Sequence, residues 1–250
     1  MDDPGPKRPK LAGARGRDAV YLQKQLNKFR AAATGVTPRT CPICGYFGMF
    51  LVFGTPPRFD ARCGSCASLE RHRLFALFTD RSGFFQPHHR VLHFAPEPQL
   101  GPRIKAAVGQ YETADLSERR PMTHYVNIEA TGLPSGQYDR IICNHVIEHV
   151  DDAKALGEIF RLMLPGGQAV ISTPIVEGWA ETYENPGLQT TTERLLHFGQ
   201  QDHIRFYGRD LRDRIRAAGF ALTEVTAVEP DVLTYGLMRG ETLFIGLKPE

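Results

Sequence analysis

From residue 90 onward, short apolar runs alternate with segments in which apolar side chains recur every three or four positions. The runs at 90–96, 138–144 and 168–174 have the length and composition of buried strands. Between the last two lies an amphipathic helix, 151–164, which the sequence Pro-Gly-Gly should end. Strands that alternate with helices in this way predict right-handed βαβ units and an α/β fold with a parallel, doubly wound sheet.

Several segments with less regular hydrophobic patterns also predict strands and helices. We expect further strands at 110–116, 124–130, 221–228 and 241–249, and helices up to residue 107, at 68–80 and at 207–219. Nearer the N-terminus, Leu22, Leu26, Phe29 and Ala33 form one helical stripe within 17–33, and residues 1–16 are predicted to be a flexible basic tail.

Composition narrows the class of protein. Of 250 residues, 42% are hydrophobic, enough for a full core, and no run of eighteen apolar residues could cross a membrane. The first residues lack the apolar stretch of a secretory signal, so we expect a cytoplasmic protein. Net charge is +2, but residues 1–40 carry nine basic against three acidic side chains. That segment could contact RNA or simply be solvated.

Four of the five cysteines form two pairs with the same spacing, Cys41/Cys44 and Cys63/Cys66. Four thiolates from two tight turns satisfy tetrahedral Zn²⁺ and leave no open coordination position, so we predict a structural zinc site. Disulfides would need an oxidising compartment, and a redox pair would normally occur once. The fifth cysteine, Cys143, lies within a predicted buried strand and should be a core residue.

Candidate ligand-binding residues follow the predicted strands, because doubly wound sheets bind ligands beyond the carboxyl ends of their strands. Asp115 ends the second strand about twenty residues after the first, the usual position of a carboxylate that binds ribose hydroxyls. A helix cap is the alternative role for this side chain.

Four segments resemble, in their order and spacing, the motifs of class I S-adenosylmethionine (SAM) dependent methyltransferases of the type 11 group. They are RVLHFAPE, YETADL, VNIEATGLPSGQYDRIICNHVIEHVDD and LMLPGGQAVISTPI. CPICG…RCGSCASLERHR and HFGQQDHIRFYG resemble a bacterial subset with an N-terminal zinc module. This resemblance implies a seven-stranded, mostly parallel Rossmann-like sheet at 83–250. It also implies a substrate-cap insert at 175–206 and a helix plus zinc module at 17–82.

The resemblance further implies a set of cofactor-binding positions. The first loop would approach the methionine part of SAM, and Asp115 would bind the ribose. The residues that end the third strand would flank the adenine, and those that end the fourth strand would lie near the reactive methyl. The residues concerned are His93, Phe94, Ala95, Pro96, Glu97, Asp115, Asn127, Ile128, Glu129, Asn144 and His145. The family loop usually reads GxGxG, whereas this chain has Phe-Ala-Pro-Glu, and Glu97 could attract the cofactor's ammonium group.

Methyl transfer to oxygen or nitrogen can require a base, and histidine titrates near neutrality. We take His149 and His203 as candidate catalytic residues, although His149 could instead anchor the start of a helix. In the insert, the polar side chains of His197, Asp202, Arg205 and Tyr207 could orient a substrate, and Arg205 would suit an anionic group.

The leading interpretation is methyl transfer to an O, N or C atom of a small molecule, with SAM and structural zinc as cofactors. Three alternatives stay open: an rRNA methyltransferase, a SAM-binding enzyme with another reaction, and a non-catalytic scaffold. Because the zinc segment has no stripe of basic residues interleaved with aromatics, nucleic acid is the less favoured partner.

Overall fold

The computed structural model describes residues 37–54 and 57–250. The predicted tail and the helix at 17–33 lie outside these ranges. Within these ranges, four short strands precede the first described helix: β1 (Arg39–Thr40), β2 (Phe47–Gly48), β3 (Leu51–Phe53) and β4 (Arg58–Arg62). They pair as two antiparallel ribbons, β1 with β2 and β3 with β4, and so form a small N-terminal unit.

Helices and strands then alternate to the C-terminus. In chain order they are α1 (Glu70–Ser82), β5 (Arg90–Phe94), α2 (Gly101–Ala107), β6 (Gln110–Asp115), β7 (His124–Tyr125), β8 (Tyr138–Asn144), α3 (Asp152–Leu162), β9 (Met163–Ser172), β10 (Tyr183–Glu184), α4 (Thr191–Phe198), β11 (Arg205–Phe206), α5 (Leu211–Ala217), β12 (Ala221–Thr226), α6 (Asp231–Tyr235) and β13 (Thr242–Leu247).

Seven of these strands form one sheet in the order β12-β13-β9-β8-β5-β6-β7. Strands β7, β6, β5, β8 and β9 are parallel, and β13 runs antiparallel to both of its neighbours. The prediction of a doubly wound, mostly parallel seven-stranded sheet is confirmed. Strand order reverses between β5 and β8, so a crevice opens beyond their carboxyl ends.

Apolar side chains cover both faces of this sheet. On one face α3 and α5 pack against alternate residues of β8, with Ile141 and Cys143 fully buried. The intervening Ile142 faces the other side, where α1 and α2 pack. Burial on both faces explains why β8 is a continuous apolar run in the sequence.

Two predicted elements differ from the structure. Helix α1 begins at Glu70, two residues later than predicted, and Ser68 lies outside it, with its hydroxyl 3.3 Å from Cys41 Sγ. The strand predicted at 124–130 ends at Tyr125, because Asn127 forms a turn by accepting a hydrogen bond from the Glu129 amide.

The insert between β9 and α5 folds as two short strands around one helix. Strand β10 pairs with β11, and Thr190 caps the N-terminus of α4 because its hydroxyl accepts from the Glu193 amide. Over the described ranges, we find no helix long and apolar enough to cross a membrane.

Candidate functional site

A cavity of about 530 Å³ lies at the carboxyl ends of β5, β6 and β8, and we call it the strand-end cavity. Six of the predicted cofactor residues line it: Phe94, Ala95, Asp115, Asn127, Ile128 and His145. The structure therefore brings together side chains that lie far apart in the sequence, at the position where doubly wound sheets bind their ligands.

The backbone at the ends of β5 and β8 takes an unusual conformation. Ala95 and His145 have φ values of +46° and +53°, in the left-handed region that favours glycine. The Ala95 amide donates to the Ala114 carbonyl, and the His145 amide to the Ser172 carbonyl, so neighbouring strands hold both residues in place. A non-glycine loop thus adopts a glycine-like turn, and such strain is typical of functional sites.

Behind this loop lies a buried polar chain. His93 Nε2 lies 2.8 Å from Glu97 Oε2, and His93 Nδ1 lies 2.9 Å from the Tyr111 hydroxyl. Burial opposes ionisation of Glu97, yet the His93 contact holds the pKa of this carboxyl below its usual range. His93 is fully buried and does not line the cavity, and neither do Pro96 and Glu97. In this structure these side chains support the loop from behind.

Asp115 faces the strand-end cavity from the end of β6. Its Oδ1 accepts a hydrogen bond of 2.9 Å from the Ser117 amide, and Arg120 lies 3.9 Å from Oδ2. The carboxylate is therefore fixed in position while Oδ2 keeps acceptor capacity for hydroxyl groups.

Asn144 and Glu129 have different positions from those we expected. The Asn144 side-chain oxygen accepts from the Ser172 hydroxyl at 2.9 Å, and Glu129 accepts from the Asp151 amide at 2.8 Å. Neither residue lines the cavity. Asn144 joins the ends of the neighbouring strands β8 and β9, and Glu129 joins the turn after β7 to the segment before α3, so both have positioning roles.

The two histidines predicted to be catalytic do lie together. The rings of His149 and His203 are 4.7 Å apart and nearly perpendicular. His149 lines the strand-end cavity, whereas His203 is 3% exposed, and burial lowers its pKa. His203 therefore has no surface on which a substrate could be contacted directly.

The predicted substrate residues separate into two groups. Asp202 lines the strand-end cavity, and His197 is exposed on α4, where Nδ1 contacts the Tyr183 hydroxyl at 2.7 Å. Arg205 and Tyr207 are buried instead. Arg205 pairs with Glu184 at 2.9 Å, and the Tyr207 hydroxyl lies 3.0 Å from Asp152, so both are used inside the protein.

A second cavity, of about 500 Å³, lies beside the first and is called the acidic cavity here. His145 lines both cavities. The name refers to three glutamates of its wall, Glu70, Glu177 and Glu241, and three arginines of the same wall balance their charge. The full lining is Arg58, Glu70, Arg71, His145, Thr173, Pro174, Ile175, Glu177, Gln200, Met238, Arg239, Gly240, Glu241 and Thr242.

Glu241 is the unusual group of the acidic cavity. Its Oε2 is buried and has no hydrogen-bond partner within 37–54 and 57–250. Burial, followed by the neighbouring Glu70 carboxylate, raises the pKa of Glu241 to about 7. Glu70 itself is bound to Arg58 at 2.8 Å. A carboxyl with a pKa near neutrality can accept or donate a proton, and the sequence pattern gave no signal for it.

The four cysteines of the N-terminal unit form one cluster. Cys41 and Cys66 sulfurs are 3.7 Å apart, and those of Cys44 and Cys63 are 3.8 Å apart. Tetrahedral zinc with bonds of about 2.3 Å would place its sulfur ligands about 3.8 Å apart, so the spacing fits that ion. Burial raises the pKa of Cys63 to about 12, and a bound metal would have to displace that proton.

The two cysteine turns have the same backbone geometry. The Cys41 amide donates to the Tyr46 carbonyl, and the Cys63 amide donates to the Ser68 carbonyl. The residue in the left-handed conformation is Gly45, with φ +74°, in the first turn and Ala67, with φ +58°, in the second.

With this geometry established, comparison with known proteins defines the class. The family described as "Methyltransferase domain" matches residues 37–225, and the chain belongs to this family. The class I methyltransferase fold expected from the sequence motifs is confirmed.

Curated relatives give a narrower comparison. The "Ubiquinone biosynthesis O-methyltransferase" proteins of Psychrobacter arcticus and Psychrobacter cryohalolentis are each 28% identical over 134 residues, which cover 52% of this chain and 51% of the relative. The chain therefore spans about half the length of the curated relatives it matches.

Solved structures agree on the fold. The CurJ carbon methyltransferase has a TM-score of 0.50 at 14% identity, covering 76% of this chain and 56% of that one. The [4+2]-cyclase SpnF has a TM-score of 0.50 at 15% identity, covering 71% and 81%. Since these two names describe different reactions, the fold alone does not define the chemistry.

Proposed function

We propose that the chain transfers a methyl group from SAM to a hydroxyl group of a small molecule. SAM would occupy the strand-end cavity, and the methyl acceptor would occupy the acidic cavity. The observation that carries this proposal is His145, which lines both cavities and is held by the backbone turn at the end of β8. A donor site and an acceptor site that share one wall are what direct transfer requires.

The cofactor assignment rests on three contacts. Asp115 would accept hydrogen bonds from the ribose hydroxyls, since it lines the cavity and its Oδ2 keeps acceptor capacity. Asn127 and Ile128, at the turn after β7, would flank the adenine. Ala95 would allow the backbone to approach the methionine part, because its left-handed conformation keeps the loop close to the cavity.

SAM supplies the electrophilic methyl on a sulfonium, so the protein must orient the acceptor and remove its proton. We assign the proton acceptor to Glu241, whose pKa is near neutrality and whose Oε2 is buried and unpartnered within the described ranges. An oxygen acceptor agrees with the O-methyltransferase name of the curated relatives. His149, at the edge of the strand-end cavity, is the candidate base from the sequence that still has access to a ligand.

We further propose that the cysteine cluster holds a structural zinc ion. The sulfur separations of 3.7 and 3.8 Å fit a tetrahedral ion, and four thiolates leave no position for a substrate. Helix α1 begins two residues after Ser68, so the zinc unit would also position Glu70 and Arg71 on the wall of the acidic cavity.

Release of S-adenosylhomocysteine (SAH) from SAM, measured against a panel of phenols, catechols and amines, tests the proposal. We expect turnover with a hydroxyl acceptor that Glu241→Gln lowers about 100-fold in kcat, within the usual range for a catalytic base. Glu177→Gln, a change to a carboxylate of the same wall that is already paired with Arg212, should leave kcat within about threefold.

The same assay separates the alternatives. Turnover with RNA and not with any small molecule would favour the rRNA methyltransferase interpretation. SAM binding without methyl transfer would favour another reaction, and no SAM binding would favour a scaffold. Equal turnover in Glu241→Gln and in the unmodified protein would contradict the role of Glu241.

A further inference from the structure

A second cluster of metal-ligand side chains lies apart from the cysteines, where the short 3₁₀ segment Ile147–His149 meets the loop before β11. Glu148 is 1% exposed, and within 37–54 and 57–250 neither of its carboxylate oxygens has a hydrogen-bond partner. Nδ1 of His203 is also buried without a partner in those ranges. Buried polar atoms are normally paired, so these three atoms require an explanation.

The geometry of the cluster is that of a ligand set. Glu148, His149 and His203 each offer an atom that lies within 4.8 Å of the others. His149 Nδ1 lies 3.2 Å from the Asp202 carbonyl oxygen. Because a carbonyl can only accept, Nδ1 carries the proton and the lone pair lies on Nε2. Histidines that bind metals typically donate their other nitrogen to a carbonyl in this way.

A third imidazole, that of His145, also faces the Glu148 carboxylate. His145 Nδ1 lies 3.3 Å from Oε1 without hydrogen-bond geometry, so it leaves the carboxylate oxygens available.

We propose that Glu148, His149 and His203 bind a divalent transition-metal ion. Two imidazoles and one carboxylate are ligands that Zn²⁺, Co²⁺, Mn²⁺ and Fe²⁺ accept, and three protein ligands leave positions open to water. Such a site differs in kind from the closed cluster of four thiolates. It would also fasten the loop that carries His203 to the segment that follows β8.

This site adjoins the strand-end cavity, because His149 and Asp202 line the cavity wall. Metal binding would fix His149 in place and hold Asp202 beside it. We therefore expect the metal and SAH to bind cooperatively, with the affinity for SAH rising about fivefold in the metal-loaded protein, as is typical of coupled sites.

The test is a titration of the zinc-loaded full chain with Co²⁺, followed by visible absorption and by calorimetry. We expect one bound cobalt ion whose spectrum lacks the intense thiolate-to-metal absorption of a cysteine site. His203→Gln and Glu148→Gln should each weaken binding at least tenfold. His197→Gln, which changes an exposed histidine of the same insert, should leave it unchanged.

Proton NMR of the unmodified protein provides a second test in case the variants fail to fold. Paramagnetic Co²⁺ should shift or broaden the ring signals of two histidines at one equivalent. Two outcomes would overturn the site: no cobalt bound beyond the cysteine cluster, or equal binding in well-folded His203→Gln. If SAH affinity is the same with and without Co²⁺, the proposed coupling to the cofactor is wrong.

Discussion

The cysteine cluster and the strand-end cavity are built in opposite ways. The cluster takes its four side chains from two short turns with the same spacing and the same backbone hydrogen bonds. The cavity takes its side chains from the ends of β5, β6 and β8 and from the loops that follow them. The positions of the cysteine side chains are therefore set by neighbours along the chain. The positions of the side chains that line the cavity are set by the packing of strands that are distant in the sequence.

If this contrast is right, the largest single effect will come from the cluster. Cys41→Ser should remove zinc and lower the free energy of unfolding by several kcal/mol, because metal binding and folding are linked. Cys143→Ala, in the core of the sheet, should cost only about 1 kcal/mol and retain the metal. Zinc content and thermal unfolding measure both. Retention of a full zinc equivalent by Cys41→Ser would contradict the assignment.

The junction between the N-terminal unit, which carries the cysteine cluster, and the rest of the fold should be the next most sensitive point. Arg73 on α1 is fully buried and donates to the Ser68 carbonyl at 2.6 Å and to the Tyr235 carbonyl at 2.7 Å. It thus connects the N-terminal unit to the C-terminal end of α6. Arg73→Met removes these buried hydrogen bonds of the guanidinium and should cost about 3–5 kcal/mol in denaturant unfolding.

Arg62→Met is the matched control, since this exposed arginine lies over the Phe53 ring at 5.7 Å. It should change the free energy of unfolding by less than about 1 kcal/mol. Similar losses in the two variants would show that Arg73 does not connect the regions.

A smaller effect should appear as a pH dependence. Burial lowers the pKa of His72 to about 4, against 6.5 for a free histidine. Between these values the unfolded chain binds the proton and the folded chain does not, so stability falls as pH drops from about 6.5 to 4. At about 1.4 kcal/mol per pH unit the loss attributable to His72 is about 3 kcal/mol.

Urea unfolding at pH 7 and pH 4.5, compared between the unmodified chain and His72→Gln, isolates this contribution. Groups common to both proteins cancel in the difference. A variant whose stability changes with pH as much as that of the unmodified protein would contradict the assignment.

The smallest effect compares the two cysteine turns. Gly45→Ala places a side chain in a left-handed conformation and should cost about 1 kcal/mol, even though its Cβ would meet open space. Ala67→Gly, at the corresponding position of the second turn, should stabilise by a similar amount. Thermal unfolding of both variants gives the pair of values, and the same sign for both changes would refute the equivalence of the turns.

The sequence predicted best those features that depend on neighbours along the chain. Strand β8 was predicted with its observed bounds, because an uninterrupted apolar run permits only burial on both faces. The cysteine cluster was predicted because the spacing within each cysteine pair is typical of a tight turn that presents two thiolates to one metal ion.

Features that depend on distant partners were predicted less well. Arg205 and Tyr207 were expected to face a substrate. They are instead buried in contacts with Asp152 and Glu184, which are distant in the sequence. His93 and Glu97 satisfy each other behind the loop, where no sequence pattern distinguishes a buried pair from a ligand site. Glu241 was missed because its pKa is raised by burial and by Glu70, which is far away in the sequence.

Binding of SAH to the strand-end cavity is the central claim, and calorimetric titration of the zinc-loaded chain tests it most directly. We expect micromolar or tighter binding that weakens at least tenfold in Asp115→Ala, a loss of about 1.4 kcal/mol. Glu118→Ala, which removes an exposed carboxylate three residues away, should bind as the unmodified chain does. Well-folded, zinc-loaded protein that fails to bind SAH, or that binds it equally well without Asp115, would contradict the account.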